Sequence, residues 1–170
     1  MNGFMKKFLI LLGFCLVFPL FAEENHNFEL YTMSGKLLST SEIMRKPEVK
    51  YLIVDFFSLI CEPCKKSLPK WDEFYKSNKS KGFEFIVISL PPEKGGGKKQ
   101  ERELKEYFKK NKFSFTMVFD KYFLVGKKFG AVSKSDDITI PMIFVLDKSG
   151  KILFKAESYD EAVSKISDLK

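Results

Sequence analysis

An apolar strand that runs into a cysteine pair is the feature that most constrains the fold of this chain. The segment Tyr51–Phe57 (YLIVDFF) is a continuous apolar run with one acid, Asp55, and such runs are typical of strands buried in a parallel sheet. After three further residues, residues 61–64 (CEPC) open a stretch with apolar residues at helical spacing that extends to Gly82. The pattern predicts a strand, a short turn and a helix whose first turn contains both cysteines.

The two cysteines of this segment are placed for redox chemistry. Unpaired N–H groups and the helix dipole stabilise an anion at a helix N-terminus, so Cys61 becomes a better thiolate at neutral pH. A thiolate attacks a substrate disulfide, and a second thiol then releases the substrate by attacking the mixed disulfide. Pro63 lacks an N–H and suits the first helical turn. We therefore predict that Cys61 is the nucleophile and Cys64 the resolving thiol.

Other uses of a cysteine pair stay open at this point. A structural zinc site needs about four ligands, and the chain offers this pair and its single histidine, His26. An inert disulfide is a second alternative, although a bridge between neighbouring turns closes a short loop and adds little stability. The single histidine also argues against Ser-His-Asp hydrolysis. We expect no metal and no cofactor.

Asp55 and Pro141 occupy positions that need a physical reason. A carboxylate inside an apolar strand is costly to bury without a partner or a role. Asp55 is predicted either to take the proton of Cys64, with a pKa raised by desolvation, or to pair with a lysine. Pro141 falls inside a strand predicted over residues 138–146, where proline is poorly tolerated. It is predicted either to form a cis peptide that exposes the Ile140 backbone to an extended substrate, or to be a trans proline at a strand edge.

The first residues have the composition of an export segment. Lys6 and Lys7 precede an apolar run over residues 8–22, which is shorter than the ~20 residues that a membrane-spanning helix needs. We expect residues 1–22 to be a signal peptide or a retained N-terminal membrane anchor, and residues 23–170 to form one domain. The protein is then extracytoplasmic, in the periplasm or on the outer face of the cytoplasmic membrane. Cys15 is interpreted as an apolar residue of this segment.

The remainder of the chain alternates predicted strands and helices without a linker. Its 170 residues, 45% hydrophobic and 30% charged, are typical of one folded domain. A hairpin is predicted around Ser34 and Gly35, and a capping box at Ser158 and Glu161. The loop over residues 95–97 is predicted at the carboxyl edge of the sheet, beside the cysteines. Strands are predicted over residues 83–90, 115–119, 138–146 and 151–156, and helices over residues 61–81, 98–112 and 122–129.

Together these segments resemble the thioredoxin superfamily, and in particular its TlpA/ResA-like extracytoplasmic thiol–disulfide oxidoreductases. The resemblance rests on residues 54–57 (VDFF), 61–69 (CEPCKKSLP) and 140–152 (IPMIFVLDKSGKI). It implies an α/β, thioredoxin-like fold with a central mixed β-sheet flanked by helices, an N-terminal β-hairpin extension, and an inserted helix and strand. The chain departs from the family at three positions, where tryptophan, glutamate and asparagine are common: Ile60, Ser67 and Asp55.

The same resemblance implies an enzyme that reduces protein disulfides through a Cys61–Cys64 dithiol/disulfide, in some members during cytochrome c maturation. We accordingly expect a disulfide-containing protein substrate, a membrane thiol as electron donor, a monomer, and no nucleic-acid partner. Four residues around the pair are expected to contact the substrate: Glu62, Pro63, Ile140 and Pro141. A negative charge beside the nucleophile opposes the thiolate, which favours a reductant.

Two functions of other classes stay open as alternatives. A peroxiredoxin-like thiol peroxidase shares the fold and places its nucleophile in a Pro-x-x-x-Thr/Ser-x-x-Cys pattern. Ser58 and Cys61 match that pattern, whereas Val54 stands at the proline position. A Sco-like copper-binding and delivery protein uses a CxxxC spacing and a downstream histidine. Here the spacing is CxxC, and no histidine follows His26.

Overall fold

A five-stranded mixed sheet forms the centre of the structure, a computed structural model that describes residues 25–169. In chain order the strands are β1 (Glu29–Tyr31), β2 (Leu37–Ser39), β3 (Tyr51–Phe57), β4 (Phe83–Ser89), β5 (Thr116–Phe119), β6 (Met142–Leu146) and β7 (Ile152–Ala156). The central sheet has the order β5-β4-β3-β6-β7. β3, β4 and β5 run parallel to one another, whereas β6 is antiparallel to both β3 and β7. The apolar run that was predicted to be a buried strand is thus the middle strand of the sheet.

The helices cover both faces of this sheet. They are α1 (Thr40–Met44), α2 (Glu62–Asn78), α3 (Lys98–Asn111), α4 (Leu124–Phe129) and α5 (Tyr159–Ser167). α2 passes into a 3₁₀ turn and ends at Gly82, whose φ of 98° is in the left-handed region that glycine adopts at low cost. The predicted helix over residues 61–81 is therefore confirmed, including its stop.

Two hydrophobic clusters lie on opposite faces of the sheet because side chains alternate along each strand. We call the face that packs against α2, α3 and α5 the cysteine face, since its cluster contains both Cys61 and Cys64. Trp71 of α2 stacks on Phe85 of β4 there, with ring centroids 4.9 Å apart. The other face packs against α1 and α4, around Phe129. The predicted thioredoxin-like architecture is confirmed, with helices on both sides of a mixed sheet.

The N-terminal hairpin extends the sheet beyond its β5 edge. β1 and β2 pair antiparallel around Gly35, which has a φ of 83°. Thr32, just after β1, makes an isolated antiparallel bridge to Val118 of β5. The predicted hairpin is confirmed, and it covers an edge strand whose backbone groups are otherwise unpaired.

The strand predicted over residues 138–146 is shorter than expected, and this prediction was wrong at its start. β6 begins at Met142, so Pro141 lies outside the ladder, where its missing N–H costs no hydrogen bond. Ile138 instead forms an isolated bridge with Val132, and the Thr139 N–H donates to the Ala131 carbonyl at 2.9 Å.

The capping box predicted at the start of α5 is only half formed. The Ser158 side chain accepts a hydrogen bond from the Glu161 N–H at 3.2 Å, as expected for an N-cap. The Glu161 carboxylate accepts from the Glu157 N–H at 2.9 Å, one residue earlier than a capping box requires.

Residues 1–24 lie outside the described part of the chain, and with them the predicted export segment and Cys15. Within residues 25–169, no helix is both long enough and apolar enough to cross a bilayer.

Candidate redox site

The two cysteines are joined at the point where β3 passes into α2. The Ser58 carbonyl accepts a hydrogen bond from the Cys61 N–H at 3.0 Å, which closes a tight turn after the strand. Cys61 is the N-cap of α2 and has an extended backbone, and Cys64 lies in the first helical turn. A disulfide joins the two residues with their Cα atoms 5.3 Å apart, inside the usual range.

Helix capping gives the two sulfur atoms different environments. The Cys61 Sγ accepts a hydrogen bond from the Cys64 N–H at 3.2 Å, so this sulfur occupies the place of a capping oxygen. Cys61 is 9% exposed, whereas Cys64 is fully buried at 0%. Cys61 is therefore the more exposed of the two residues and its sulfur has a donor for a negative charge, whereas Cys64 is fully enclosed.

The residues between the cysteines form an exposed surface with a compensated charge. Glu62 and Pro63 are both exposed, and Pro63 lies in the first turn, where its missing N–H costs no helical bond. Glu62 forms an ion pair with Lys65, one turn along the helix. The negative charge that was expected to oppose the thiolate of Cys61 is thus partly neutralised. Sequence reasoning missed Lys65, although its i,i+3 spacing from Glu62 is the signal of such a pair.

Asp55 is buried on the cysteine face without a hydrogen-bond partner. It is 1% exposed, and within residues 25–169 neither carboxylate oxygen has a partner. Its neighbours in register are apolar, Val87 on β4 and Ile143 on β6. Burial raises the pKa of Asp55 well above its ordinary value, because the ion cannot be solvated there. The alternative of a lysine partner was wrong.

Pro141 is brought to the end of β3 from which the cysteine turn departs. Met142 pairs with Phe56, so the preceding residue lies level with the last residue of β3. The Ile140–Pro141 peptide is cis, which resolves the alternative between the two isomers. Ile140 and Pro141 are half-buried, and Ile140 packs against the clusters of both faces.

A cavity beside the disulfide is a feature that sequence reasoning did not predict. It has a volume of about 250 Å³ and lies between the turn after β3 and the loop after β4. Ser58 lines it and is buried with an unpartnered Oγ. Because β3 and β4 run parallel, the loop that follows β4 and contains residues 95–97 leaves the same edge of the sheet as the cysteine turn, as predicted. The sequence marks Ser58 as a polar residue directly after a buried strand and as a match to the Thr/Ser-x-x-Cys pattern, but neither signal predicts a cavity.

The ligands considered for zinc do not come together. The His26 ring packs against Phe129 of the face opposite the cysteines, with ring centroids 5.2 Å apart. Among the side chains that the structure describes, no three of the His, Cys, Asp and Glu type are grouped as a metal site requires.

The fold and a cysteine pair at the start of α2 define the class of thioredoxin-like thiol–disulfide oxidoreductases. The chain belongs to the AhpC/TSA family, whose model matches residues 22–155. Sporulation thiol-disulfide oxidoreductase A of Bacillus subtilis (strain 168) is 26% identical over 152 residues, which cover 85% of this chain and 83% of that protein.

Further similarities agree with this class. Thiol-disulfide oxidoreductase ResA of Bacillus thuringiensis subsp. konkukian (strain 97-27) is 25% identical over 131 residues, which cover 77% of this chain and 66% of that protein. The crystal structure of StoA from Bacillus subtilis superposes with a TM-score of 0.62 at 23% identity, covering 84% of this chain and 96% of that one. The resemblance expected from residues 54–69 and 140–152 is confirmed at the level of the family.

Proposed function

We propose that this protein reduces disulfides of protein substrates outside the cytoplasm, with Cys61 as nucleophile and Cys64 as resolving thiol. One observation carries the proposal: the disulfide lies at the N-cap of α2, where Cys61 is the more exposed residue of the pair and its sulfur accepts a hydrogen bond from a helical N–H. That position favours the thiolate of the attacking residue over that of its partner.

The reaction follows from the two sulfur environments. In the dithiol form, the Cys61 thiolate attacks one sulfur of the substrate disulfide, a mixed disulfide forms, and the other substrate sulfur leaves and takes up a proton. Cys64 then loses its proton and attacks the Cys61 sulfur, so the protein disulfide forms and the second substrate thiolate leaves. The substrate gains two electrons from the protein and two protons, one of which comes from Cys64 and the other from solvent, to which Cys61 lost its proton when its thiolate formed. An external dithiol must then return two electrons and two protons to the Cys61–Cys64 pair, and we propose that a membrane thiol is this electron donor.

Asp55 supplies a place for the proton of Cys64. It lies on the cysteine face between two apolar strands, and burial raises its pKa toward the range in which a carboxylate accepts a proton at neutral pH. Side chains two positions apart on a strand point to the same face of the sheet. Ile53 and Phe57, two residues before and after Asp55, belong to the cluster that contains both cysteines.

The substrate segment is proposed to bind across the exposed edge formed by Glu62, Pro63, Ile140 and Pro141. Glu62 and Pro63 present the solvent side of the disulfide, and Pro141 lies at the end of β3 below it. β6 begins only at Met142, so the backbone of Ile140 is outside the sheet ladder and open to an extended chain.

The cellular setting is proposed from the N-terminal sequence and the relatives. Residues 1–22 act as a signal peptide or as a retained anchor, and residues 23–170 form a monomeric thioredoxin-like domain in the periplasm or on the outer face of the cytoplasmic membrane. Apocytochrome c is one substrate of the proposed class, because it is exported and contains a cysteine pair.

The reduction potential of the Cys61–Cys64 pair tests the direction of electron flow. We expect the full-length protein in detergent, equilibrated with a thiol redox buffer, to give a value near the thioredoxin end of the scale, about −270 mV. A value near about −120 mV would make it an oxidant and contradict the proposed reductant. Turnover of hydrogen peroxide without reduction of protein disulfides would assign the thiol peroxidase alternative instead.

A further inference from the structure

The cavity beside the disulfide has an apolar wall and an unpartnered polar group. Seven apolar residues form most of the wall: Leu59, Ile60, Leu90, Pro91, Pro92, Leu104 and Phe119. We call this cavity the Ile60 pocket. Ser58 lines its inner part with a buried hydroxyl that has no partner within residues 25–169. Lys99 and Glu103 of α3 lie at the pocket and pair with each other at 3.8 Å, so its rim carries no net charge from these two.

The Ile60 pocket is continuous with the turn that presents Cys61. Leu59 and Ile60 line the pocket and directly precede the nucleophile in the chain. Ile60 is 69% exposed, so its apolar side chain is available to a partner at the mouth of the pocket. A polypeptide whose sulfur reaches Cys61 must therefore place a neighbouring residue close to the mouth of this pocket.

The size and lining of the pocket select the kind of group that it holds. Its volume of about 250 Å³ is below the roughly 300–1,000 Å³ of sites for small molecules and cofactors. An apolar wall gains free energy by covering an apolar group, and the two charged side chains at the rim are paired with each other.

We propose that the Ile60 pocket binds an apolar side chain of the substrate polypeptide that lies next to the cysteine being reduced. The inference rests on the proposed function, because it assumes that a protein disulfide docks at Cys61. It adds a sequence preference to that function: disulfides whose cysteine has a leucine-like neighbour are reduced faster than disulfides with a small polar neighbour.

Two adjacent glycines provide a matched pair of variants. A Cβ added at Gly96 would lie 2.8 Å from the Pro91 Cβ and 3.2 Å from the Phe119 Cζ, so Gly96→Ala must displace the wall of the pocket. A Cβ added at Gly97 meets nothing within 4 Å, and its φ of −73° suits alanine, so Gly97→Ala leaves the wall in place. The two changes add the same methyl group to the same loop.

The test compares two peptide disulfides of equal length and charge, in which the cysteine is flanked by leucine in one and by serine in the other. Their intrinsic reactivity is matched by normalising to reduction by dithiothreitol, and glutathione disulfide serves as a substrate without flanking side chains. We expect the full-length protein to prefer the leucine peptide about tenfold in kcat/KM. Gly97→Ala keeps that ratio, and Gly96→Ala brings it close to one.

A second variant keeps the test decisive if Gly96→Ala does not fold. Ile60→Ser removes the exposed part of the wall and is expected to lower the same ratio about fivefold. If the unmodified protein reduces the two peptides with equal kcat/KM and still reduces glutathione disulfide, the Ile60 pocket does not bind the apolar side chain. The proposed function would then be unaffected. Failure to reduce any of the three disulfides would contradict the proposed function itself.

Discussion

Two regions of this molecule differ in whether their buried polar groups have hydrogen-bond partners. Along β3 and in the turn that leads from it to the disulfide, the carboxylate of Asp55 and the hydroxyl of Ser58 are buried and have no partner in the described part of the chain. Away from it, the buried carboxylates of Asp72 and Asp120 accept several hydrogen bonds. Buried polar groups are normally satisfied, so the exceptions need a reason.

The bonded carboxylates connect elements of the fold. Asp120 follows β5 and accepts from the N–H groups of Leu124 at 2.9 Å and Gly126 at 2.7 Å, which fixes the start of α4. Asp72 of α2 accepts from both the N–H and the hydroxyl of Ser114 at 2.6 Å, which ties the helix to the segment before β5. The comparison teaches that this fold satisfies its buried acids where they act structurally, and leaves one unsatisfied on the strand that leads to its redox pair.

The largest effect is expected from the cysteines themselves. Cys64→Ser should accumulate a mixed disulfide between Cys61 and a protein substrate, because the attacking sulfur remains and the resolving one is gone. Cys61→Ser should trap no substrate and lose turnover by more than about 10³-fold, since the proposed nucleophile is removed. Mass spectrometry of the trapped species checks both. A substrate bound through Cys64 would reverse the assigned roles.

Removing a bonded carboxylate should destabilise the fold. Asp72→Ala leaves the Ser114 donors and the Lys76 ammonium without their acceptor, and we expect a loss of about 2–4 kcal/mol in the free energy of unfolding. Its matched control is Glu73→Ala, an exposed neighbour on the same helix, with an expected change within about 0.5 kcal/mol. Urea unfolding with the disulfide intact measures both. Equal effects of the two substitutions would contradict a structural role for Asp72.

The pH dependence of this loss has a definite sign. Burial acts to raise the pKa of Asp72, but hydrogen bonds from Lys76 and Ser114 outweigh it, so the pKa is lowered from its ordinary value. The folded protein therefore binds fewer protons than the unfolded chain, and this contribution is present above the unfolded pKa and is lost as the pH falls through the folded pKa. Asp72→Ala and the unmodified protein should converge in stability in acid.

The unsatisfied carboxylate should behave in the opposite way. Burial raises the pKa of Asp55, so the folded protein binds more protons than the unfolded chain, and stability falls as the pH rises from about 4 through the folded pKa. Asp55→Asn removes this cost. We expect it to raise the free energy of unfolding at pH 7, and to raise it less at pH 4, where less of the carboxyl is ionised in the unfolded chain. Urea unfolding at pH 4 and pH 7 measures it, and a destabilised variant at pH 7 would mean that the acid has a structural partner.

The smallest expected effect comes from the two serine hydroxyls. Ser58→Ala removes an unpartnered Oγ, and its unfolding free energy should change by less than about 0.5 kcal/mol. Ser114→Ala removes a donor to Asp72 and should cost about 1 kcal/mol. Thermal unfolding of the pair at equal pH checks the difference. If Ser58→Ala is the more costly of the two, the hydroxyl is bonded in solution and the contrast between the regions is weaker.

Much of this fold could be predicted because its signals are local. Continuous apolar runs marked β3 and β4, Gly82 marked the end of α2, and the cysteine spacing marked the site. Pro141 was assigned to a strand because an apolar run surrounds it, whereas its missing N–H places it before the ladder.

The features that could not be predicted depend on contacts between distant segments. The pair of Asp72 with Ser114, 42 positions apart, and the Ile60 pocket between two loops have no periodic signal in the sequence. The lack of a partner for Asp55 is of the same kind, since it requires knowing what every neighbouring strand presents.

The resolving step of Asp55→Asn tests the central comparison most directly. A mixed disulfide between Cys61 and a chromogenic thiol is formed, and release of that thiol by Cys64 is followed by stopped flow from pH 5 to pH 9. We predict that release in the unmodified protein rises with a pKa above that of an ordinary carboxyl, and that Asp55→Asn is slower at pH 7 by at least about tenfold. Release at the same rate with the same pH dependence in both proteins would contradict a role for the unsatisfied acid in moving the proton of Cys64.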